Sequence, residues 1–86
     1  MVYNEWLNEV AKIIESKLSL TVGLTSLGSM VLTMPKFNWR MRVEREWFER
    51  EYCGGKSNPK SAAYYIISIV KDEWWKLLVK EDKTND

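Results

Sequence analysis

The chain has 86 residues, which is enough for one domain and too few for two. Aromatic residues make up 13% of it, five of them Trp, so large rings can build a core, while a single cysteine excludes an internal disulfide. The formal net charge of +1 conceals two stretches without an acid, 16–43 and 52–71, which could approach a polyanion. Their basic residues are Lys17, Lys36, Arg40, Arg42, Lys56, Lys60 and Lys71.

Apolar residues at helical spacing predict a first helix over residues 4–17. The apolar positions recur at i, i+3, i+4 and i+7, which forms one face of a helix. Asn4 is an acceptable cap for its first turn. The residues of this face are Leu7, Val10, Ala11, Ile14 and Leu18.

The apolar period changes to two after this helix, which is typical of half-buried strands. Residues 18–25 alternate and predict a first strand, followed by a turn signal at 26–29. Residues 36–44 alternate most regularly and predict a second strand. Its large side chains are expected to face the helices, because a strand places alternate residues on one side. They are Phe37, Trp39, Met41 and Val43.

Residues 47–53 predict a third strand, ended by Gly54-Gly55. The sequence Glu-Arg-Glu-Trp-Phe-Glu-Arg-Glu-Tyr would also tolerate a helix, but it follows directly on a strong alternation. Its glutamates are expected to pair with Arg40 and Arg42 across the ladder, on the open face of the sheet.

A long helix is predicted to complete the domain. Ser57 or Asn58 caps it, and Pro59 occupies an early position where the missing N–H costs nothing. Its core stripe is expected to be Ala63, Ile66, Ile67, Val70, Trp74 and Leu77, before a polar tail at 80–86. The fold class is therefore α+β: a two-layer α-β-β-β-α domain with a three-stranded antiparallel sheet and both helices packed on one face. One domain, 1–86, is expected, with its core at about 4–79.

The residue types that usually carry chemistry are scarce. There is no histidine, one cysteine cannot form a zinc site, and the upstream glycine of a phosphate-binding loop is missing before Gly54-Gly55-Lys56-Ser57. We therefore expect no enzyme activity, no metal and no cofactor. Cys53 is expected to be a semi-buried filler. The single cysteine and the lack of a signal segment or an apolar span predict an intracellular protein, cytoplasmic or nuclear, without a membrane partner.

Four segments, in their order along residues 4–78, resemble the double-stranded RNA-binding domain. Leu7-Asn8-Glu9 resembles the Leu-Asn-Glu of that family's first helix. The stretch Met34-Pro35-Lys36-Phe37 resembles the entry into its second strand, and Gly54-Gly55-Lys56-Ser57 the Gly-x-Ser that ends its third. Lys60, followed by Ala62 and Ala63, resembles the start of its Lys- and Ala-rich second helix.

The resemblance implies a module that binds double-stranded RNA by shape. Such proteins contact phosphates and 2′-hydroxyls across the minor groove, because the A-form major groove hides the base edges. The first helix would supply the minor-groove contacts, and the start of the last helix would hold phosphates through its cations and N–H groups. The RNA-binding residues implied are Asn8, Glu9, Lys12, Lys56, Ser57 and Lys60.

A second interpretation is a degenerate copy of this fold that acts in protein association or dimerisation. The family's adjacent lysines are replaced here by Asn58 and Pro59. In addition, Trp6, Tyr64, Tyr65 and Trp75 do not fit together on the inward stripes, and exposed aromatics are typical of interfaces. A third interpretation is an unrelated small regulator that binds a host protein. The sequence therefore predicts duplex RNA as partner, with a protein partner or a homodimer as the alternative.

Overall fold

The computed structural model describes the backbone of residues 2–84 and the side chains of residues 2–74. Helix α1 (Tyr3–Lys17) precedes the strands β1 (Thr21–Leu24), β2 (Met30–Met34) and β3 (Trp39–Val43). Helices α2 (Arg45–Tyr52) and α3 (Pro59–Thr84) follow, with short 3-10 turns at Pro35–Phe37 and Cys53–Gly55. The predicted α+β fold, a helix, a three-stranded antiparallel sheet and a closing helix, is confirmed.

The sheet has the order β1-β2-β3, with both neighbouring pairs antiparallel. Its central strand alternates as binary patterning requires, so that Met30, Leu32 and Met34 are buried. These residues pair in register with Val43, Met41 and Trp39 of β3, which pack against the core from the same face. The inward direction predicted for these three side chains of β3 is confirmed.

The third strand predicted at 47–53 is wrong. Residues Arg45–Tyr52 form helix α2, stabilised by the i,i+4 pair of Arg45 Nε with Glu49 Oε1 at 2.7 Å and by burial of Phe48. The predicted glutamate pairs with Arg40 and Arg42 are therefore wrong as well. The strand that completes the sheet is β2, which lies between the turn signal and Pro35.

Phe37 is the exception on the predicted second strand. Pro35 fixes its own φ and begins a 3-10 turn, which ends at Asn38 in the left-handed region with φ 51°. The chain thus enters β3 only at Trp39. The Phe37 ring is 37% exposed and contacts Trp74, with ring centroids 5.5 Å apart.

The core lies between the sheet and the helices. The apolar faces of α1 and α3 pack together as predicted, and Ala62 and Ala63 leave room for close approach. Of the aromatic residues expected not to fit together on the inward stripes, Trp6 is buried, with its ring edge-on to Phe48 at 5.6 Å, whereas Tyr64 and Tyr65 are exposed. The remaining buried members from the two helices are Leu7, Val10, Ala11, Ile14, Ile66, Ile67 and Val70.

The helix caps, Cys53 and the C-terminal segment agree only in part with the predictions from the sequence. The N-cap position of α1 is Val2, not Asn4, and its side chain makes no capping hydrogen bond. Asn58 caps α3 as predicted, because its Oδ1 accepts from the Lys60 N–H at 2.9 Å. Cys53 is exposed, not semi-buried, and its backbone is in the left-handed region with φ 52°. Helix α3 continues to Thr84 through the supposed tail, as lysine and glutamate are good helix formers. The side chains of Trp75 and Leu77 lie outside the described residues.

Candidate functional site

Three segments meet at one end of the fold. The Tyr3 hydroxyl donates to the Gly28 carbonyl at 2.7 Å, which ties the β1–β2 loop to the start of α1. The Trp6 Nε1–H donates to the Ser57 carbonyl at 2.7 Å, which ties α1 to the segment before α3. Residues far apart in sequence therefore share one surface, which we call the loop end.

Burial raises the pKa of the Tyr3 phenol, against the lowering effect of Arg45 and with smaller raising effects of Glu49 and Glu46. The phenol therefore keeps its proton and remains a donor to Gly28. The Arg45 guanidinium lies 4.5 Å from the centre of the Tyr3 ring, a cation–π contact. The loop end thus includes a cation from α2 that the sequence analysis missed; the i,i+4 spacing of Arg45 and Glu49 was the available signal.

Gly55 allows the segment before α3 to lie against Trp6. Its φ is +100°, which residues with a side chain rarely adopt, and an added Cβ would lie 3.3 Å from both Cβ and Cγ of Trp6. The chain then turns directly into Lys56 and Ser57. The backbone conformation at Gly55 therefore places two of the predicted site residues beside α1.

At the start of α3 the predicted cations are accessible. Lys56 and Lys60 are exposed and Ser57 is partly buried. The N–H groups of Lys60 and Ser61 are already hydrogen-bonded to Asn58, at 2.9 Å to its Oδ1 and 3.1 Å to its carbonyl. Phosphate contacts at this point would thus depend mainly on the lysine side chains. The helix N–H groups, which the sequence led us to expect as phosphate donors, are already occupied.

The predicted residues on α1 share its outward side. Asn8 and Lys12 are exposed and separated by one helical turn, while Glu9 is partly buried. Lys12 Nζ lies 3.6 Å from Glu9 Oε1, an exposed pair that contributes little to stability and can readily exchange partners. Trp6, anchored to Ser57, lies half a turn before Asn8. At about 3.6 residues per turn, Asn8 and Lys12 therefore lie on the far side of α1 from Trp6, and Glu9 lies between the two sides.

Two of the four segments that resemble the double-stranded RNA-binding domain lie on other elements than the resemblance implies. Gly54-Gly55-Lys56-Ser57 follows helix α2, so it does not end a strand. Met34-Pro35-Lys36-Phe37 leads into the third strand, not the second. The first-helix motif and the start of the last helix lie on the elements expected.

Two of the concave surfaces are lined in part by α2. A groove of about 490 Å³ follows edge strand β3. Its apolar lining residues are Met41, Val43, Trp47, Ile66 and Ile69, and its charged lining residues are Arg42, Glu44, Glu46 and Arg50. A smaller pocket of about 190 Å³ is lined by Trp47, Glu51, Tyr52 and Tyr65. Within the described residues, no three His, Cys, Asp or Glu side chains converge as metal ligands, and none of the helices is both long and apolar enough to span a bilayer.

Comparison with protein-family models, with curated proteins and with solved structures finds no match for this chain.

Proposed function

We propose that this chain is a non-catalytic module that binds double-stranded RNA by shape through its loop end. The observation that carries the proposal is the pair of hydrogen bonds from Tyr3 to Gly28 and from Trp6 to Ser57. They hold the first turn of α1, the β1–β2 loop and the segment before α3 close together. Shape recognition of an A-form duplex requires such separated contact points with fixed spacing.

The chemistry of the loop end suits backbone contacts. Lys56 and Lys60 lie in a stretch of 20 residues, 52–71, that contains no acid, so their charges are not neutralised by neighbours in sequence. Asn8 can donate and accept, and Glu9 accepts, which fits ribose 2′-hydroxyls in a minor groove. The surface offers no constellation for reading base edges, and the proposal therefore excludes sequence-specific recognition.

The double variant Lys56→Ala/Lys60→Ala tests the cationic part of this surface. It should weaken duplex RNA binding and reduce the slope of log K against log salt by roughly one to two units, because each phosphate contact contributes about 0.7–0.9. Both side chains are exposed, so the unfolding midpoint should change little. Fluorescence anisotropy of a labelled duplex at several salt concentrations measures the slope.

The matched control is Lys17→Ala/Lys36→Ala, which removes the same charge from the opposite end. Lys17 ends α1 before β1, and Lys36 lies in the turn after β2, and both are exposed. This control should retain most of the affinity and of the salt slope. Equal losses in the two double variants would mean that RNA binding depends on total charge and not on the loop end.

A second function, protein association, is favoured by the groove beside β3. Within the described part of the chain β3 pairs with β2 alone, so its other edge can accept a further strand. Arg40 and Arg42 alternate with the core-facing residues of that strand and are exposed, and Arg42 also pairs with Glu44. The occupant expected is therefore an extended segment of a partner protein that alternates acidic residues, opposite these arginines, with apolar residues that enter the groove.

Self-association through this edge is disfavoured by its charges. Antiparallel pairing of two copies about Met41 would place Arg40 of one copy opposite Arg42 of the other, and like charges directly opposite are destabilising. Sedimentation without RNA distinguishes the cases. A monomer at all concentrations agrees with the RNA-binding and heterologous-partner proposals, whereas a concentration-dependent dimer indifferent to RNA supports the homodimer alternative.

A further inference from the structure

The small pocket between α2 and α3 is lined mainly by aromatic residues. Three of its four lining residues are aromatic, Trp47, Tyr52 and Tyr65, and the fourth is Glu51. Its volume of about 190 Å³ is below the roughly 300–1,000 Å³ of sites for drug-sized ligands. The pocket therefore fits a small headgroup or the end of one side chain.

The three aromatic rings of this pocket differ in how closely they pack against the core. Trp47 is central, with ring centroids 5.3 Å from Tyr52 and 5.8 Å from Tyr65. From the core side, Phe48 packs against Trp47 at 5.2 Å, and buried Trp6 packs against Tyr52 at 6.2 Å. Two of the rings are thus fixed by the core. Tyr65 is 53% exposed, and its removal would leave the core intact.

The electrostatics of the pocket favour a cation. Aromatic faces carry negative potential, and the Glu51 carboxylate adds a formal negative charge. Among the residues whose side chains are described, no lysine or arginine lines the pocket. Arg50 Nε lies 3.7 Å from Glu51 Oε1, but both side chains are more than half exposed and such pairs are weak. Burial, then Tyr65, then Glu51 raise the pKa of the Tyr52 phenol, in line with surroundings that disfavour further negative charge.

We propose that this pocket binds a methylated ammonium group. The methyl groups would contact the rings of Trp47, Tyr52 and Tyr65, and the positive charge would lie near Glu51. A plain ammonium is strongly hydrated and loses more on leaving water, which favours the methylated form. Quaternary ammonium groups are recognised by clusters of aromatic rings. The site adjoins the loop end through the contact of Tyr52 with Trp6 but is lined by other residues, and neither proposal depends on the other.

Titration with choline chloride, followed by NMR signals of the Trp indole N–H groups, tests the pocket directly. Choline should give a saturable shift of one indole signal, that of Trp47. The neutral isostere 3,3-dimethyl-1-butanol has the same shape without the charge and should give no saturable shift, and neither should ammonium chloride at equal ionic strength. Equal binding of the neutral isostere, or no saturation with choline, would overturn the proposal.

Adjacent tyrosines provide matched variants. Tyr65→Ala should weaken choline binding roughly 2- to 30-fold, the range expected for one cation–π contact. Tyr64→Ala removes a neighbouring ring that is 51% exposed and does not line the pocket, so it should bind choline normally. Glu51→Gln should also weaken binding, because it removes the carboxylate charge. Equal losses in the two tyrosine variants would contradict the assignment.

Two sources could supply this chemistry, and two further probes distinguish them. Tighter binding of phosphocholine than of choline identifies a lipid headgroup. Tighter binding of a tripeptide with a central trimethyllysine identifies a modified protein side chain.

Discussion

Replacing Phe48 by alanine is expected to lower the free energy of unfolding by about 3–5 kcal/mol. The Phe48 side chain is fully buried and contacts the rings of Trp6 and Trp47 edge-on, at 5.6 and 5.2 Å. Its removal leaves a cavity between α2 and α1 that two large, fixed rings cannot fill. Because small domains have only about 5–15 kcal/mol of stability, most of it should be lost. Urea denaturation followed by circular dichroism measures the change.

Phe37→Ala is the matched control for this prediction. Phe37 is 37% exposed in the turn before β3 and has one ring contact, with Trp74, among the described residues. We expect a loss of about 1 kcal/mol, since much less apolar surface is removed from the core. The strand predicted from the sequence at 36–44 would instead place Phe37 facing the helices, where its removal would cost more. A larger loss for Phe37→Ala than for Phe48→Ala would contradict the structure.

Gly55→Ala should cost about 2–4 kcal/mol, from two effects that act together. A φ of +100° strains a residue that has a side chain, at about 1–3 kcal/mol. The new Cβ would also lie 3.3 Å from two atoms of Trp6, which is buried and hydrogen-bonded to Ser57 and so cannot yield easily. Chemical denaturation, with the m-value checked for two-state behaviour, measures this loss.

Gly54→Ala separates the two effects. Gly54 has φ 63° and ψ 29°, close to the left-handed helical region, and an added Cβ would meet only Glu49 Cγ at 3.8 Å. The expected cost is about 1 kcal/mol, from the backbone alone. Equal losses at the two glycines would show that the close approach of Gly55 to Trp6 does not matter.

Much of the fold could be predicted from apolar periodicity. The period of 3.6 in α1 and α3 and the period of two in β3 agree with the observed elements, because each element buries one face. The segment 45–52 could not be assigned in this way. Its charged residues alternate as in a strand, but oppositely charged residues also recur four positions apart, as in a helix. The helix is favoured by the burial of Phe48 and by the Arg45–Glu49 pair, which the sequence alone does not show.

The candidate site could be predicted only in part. Exposed Asn8, Lys12, Lys56 and Lys60 follow from their polarity, and Asn58 was recognised as a cap. Their relative placement could not be predicted, because it depends on the inward turn of Trp6 and on its hydrogen bond to Ser57 across 51 residues. The Trp47–Tyr52–Tyr65 pocket could not be predicted from the sequence either, because it forms only when residues 47–52 are helical.

Competition between duplex RNA and duplex DNA of the same sequence tests the central proposal most directly. A labelled RNA duplex is bound to the protein at moderate salt, and unlabelled competitors are titrated in. Shape recognition predicts that RNA displaces the probe at much lower concentration than DNA, because A-form groove width and 2′-hydroxyls are what the loop end would contact. Equal competition by DNA would indicate nonspecific phosphate attraction, and the absence of RNA binding at low salt would reject the RNA-binding function.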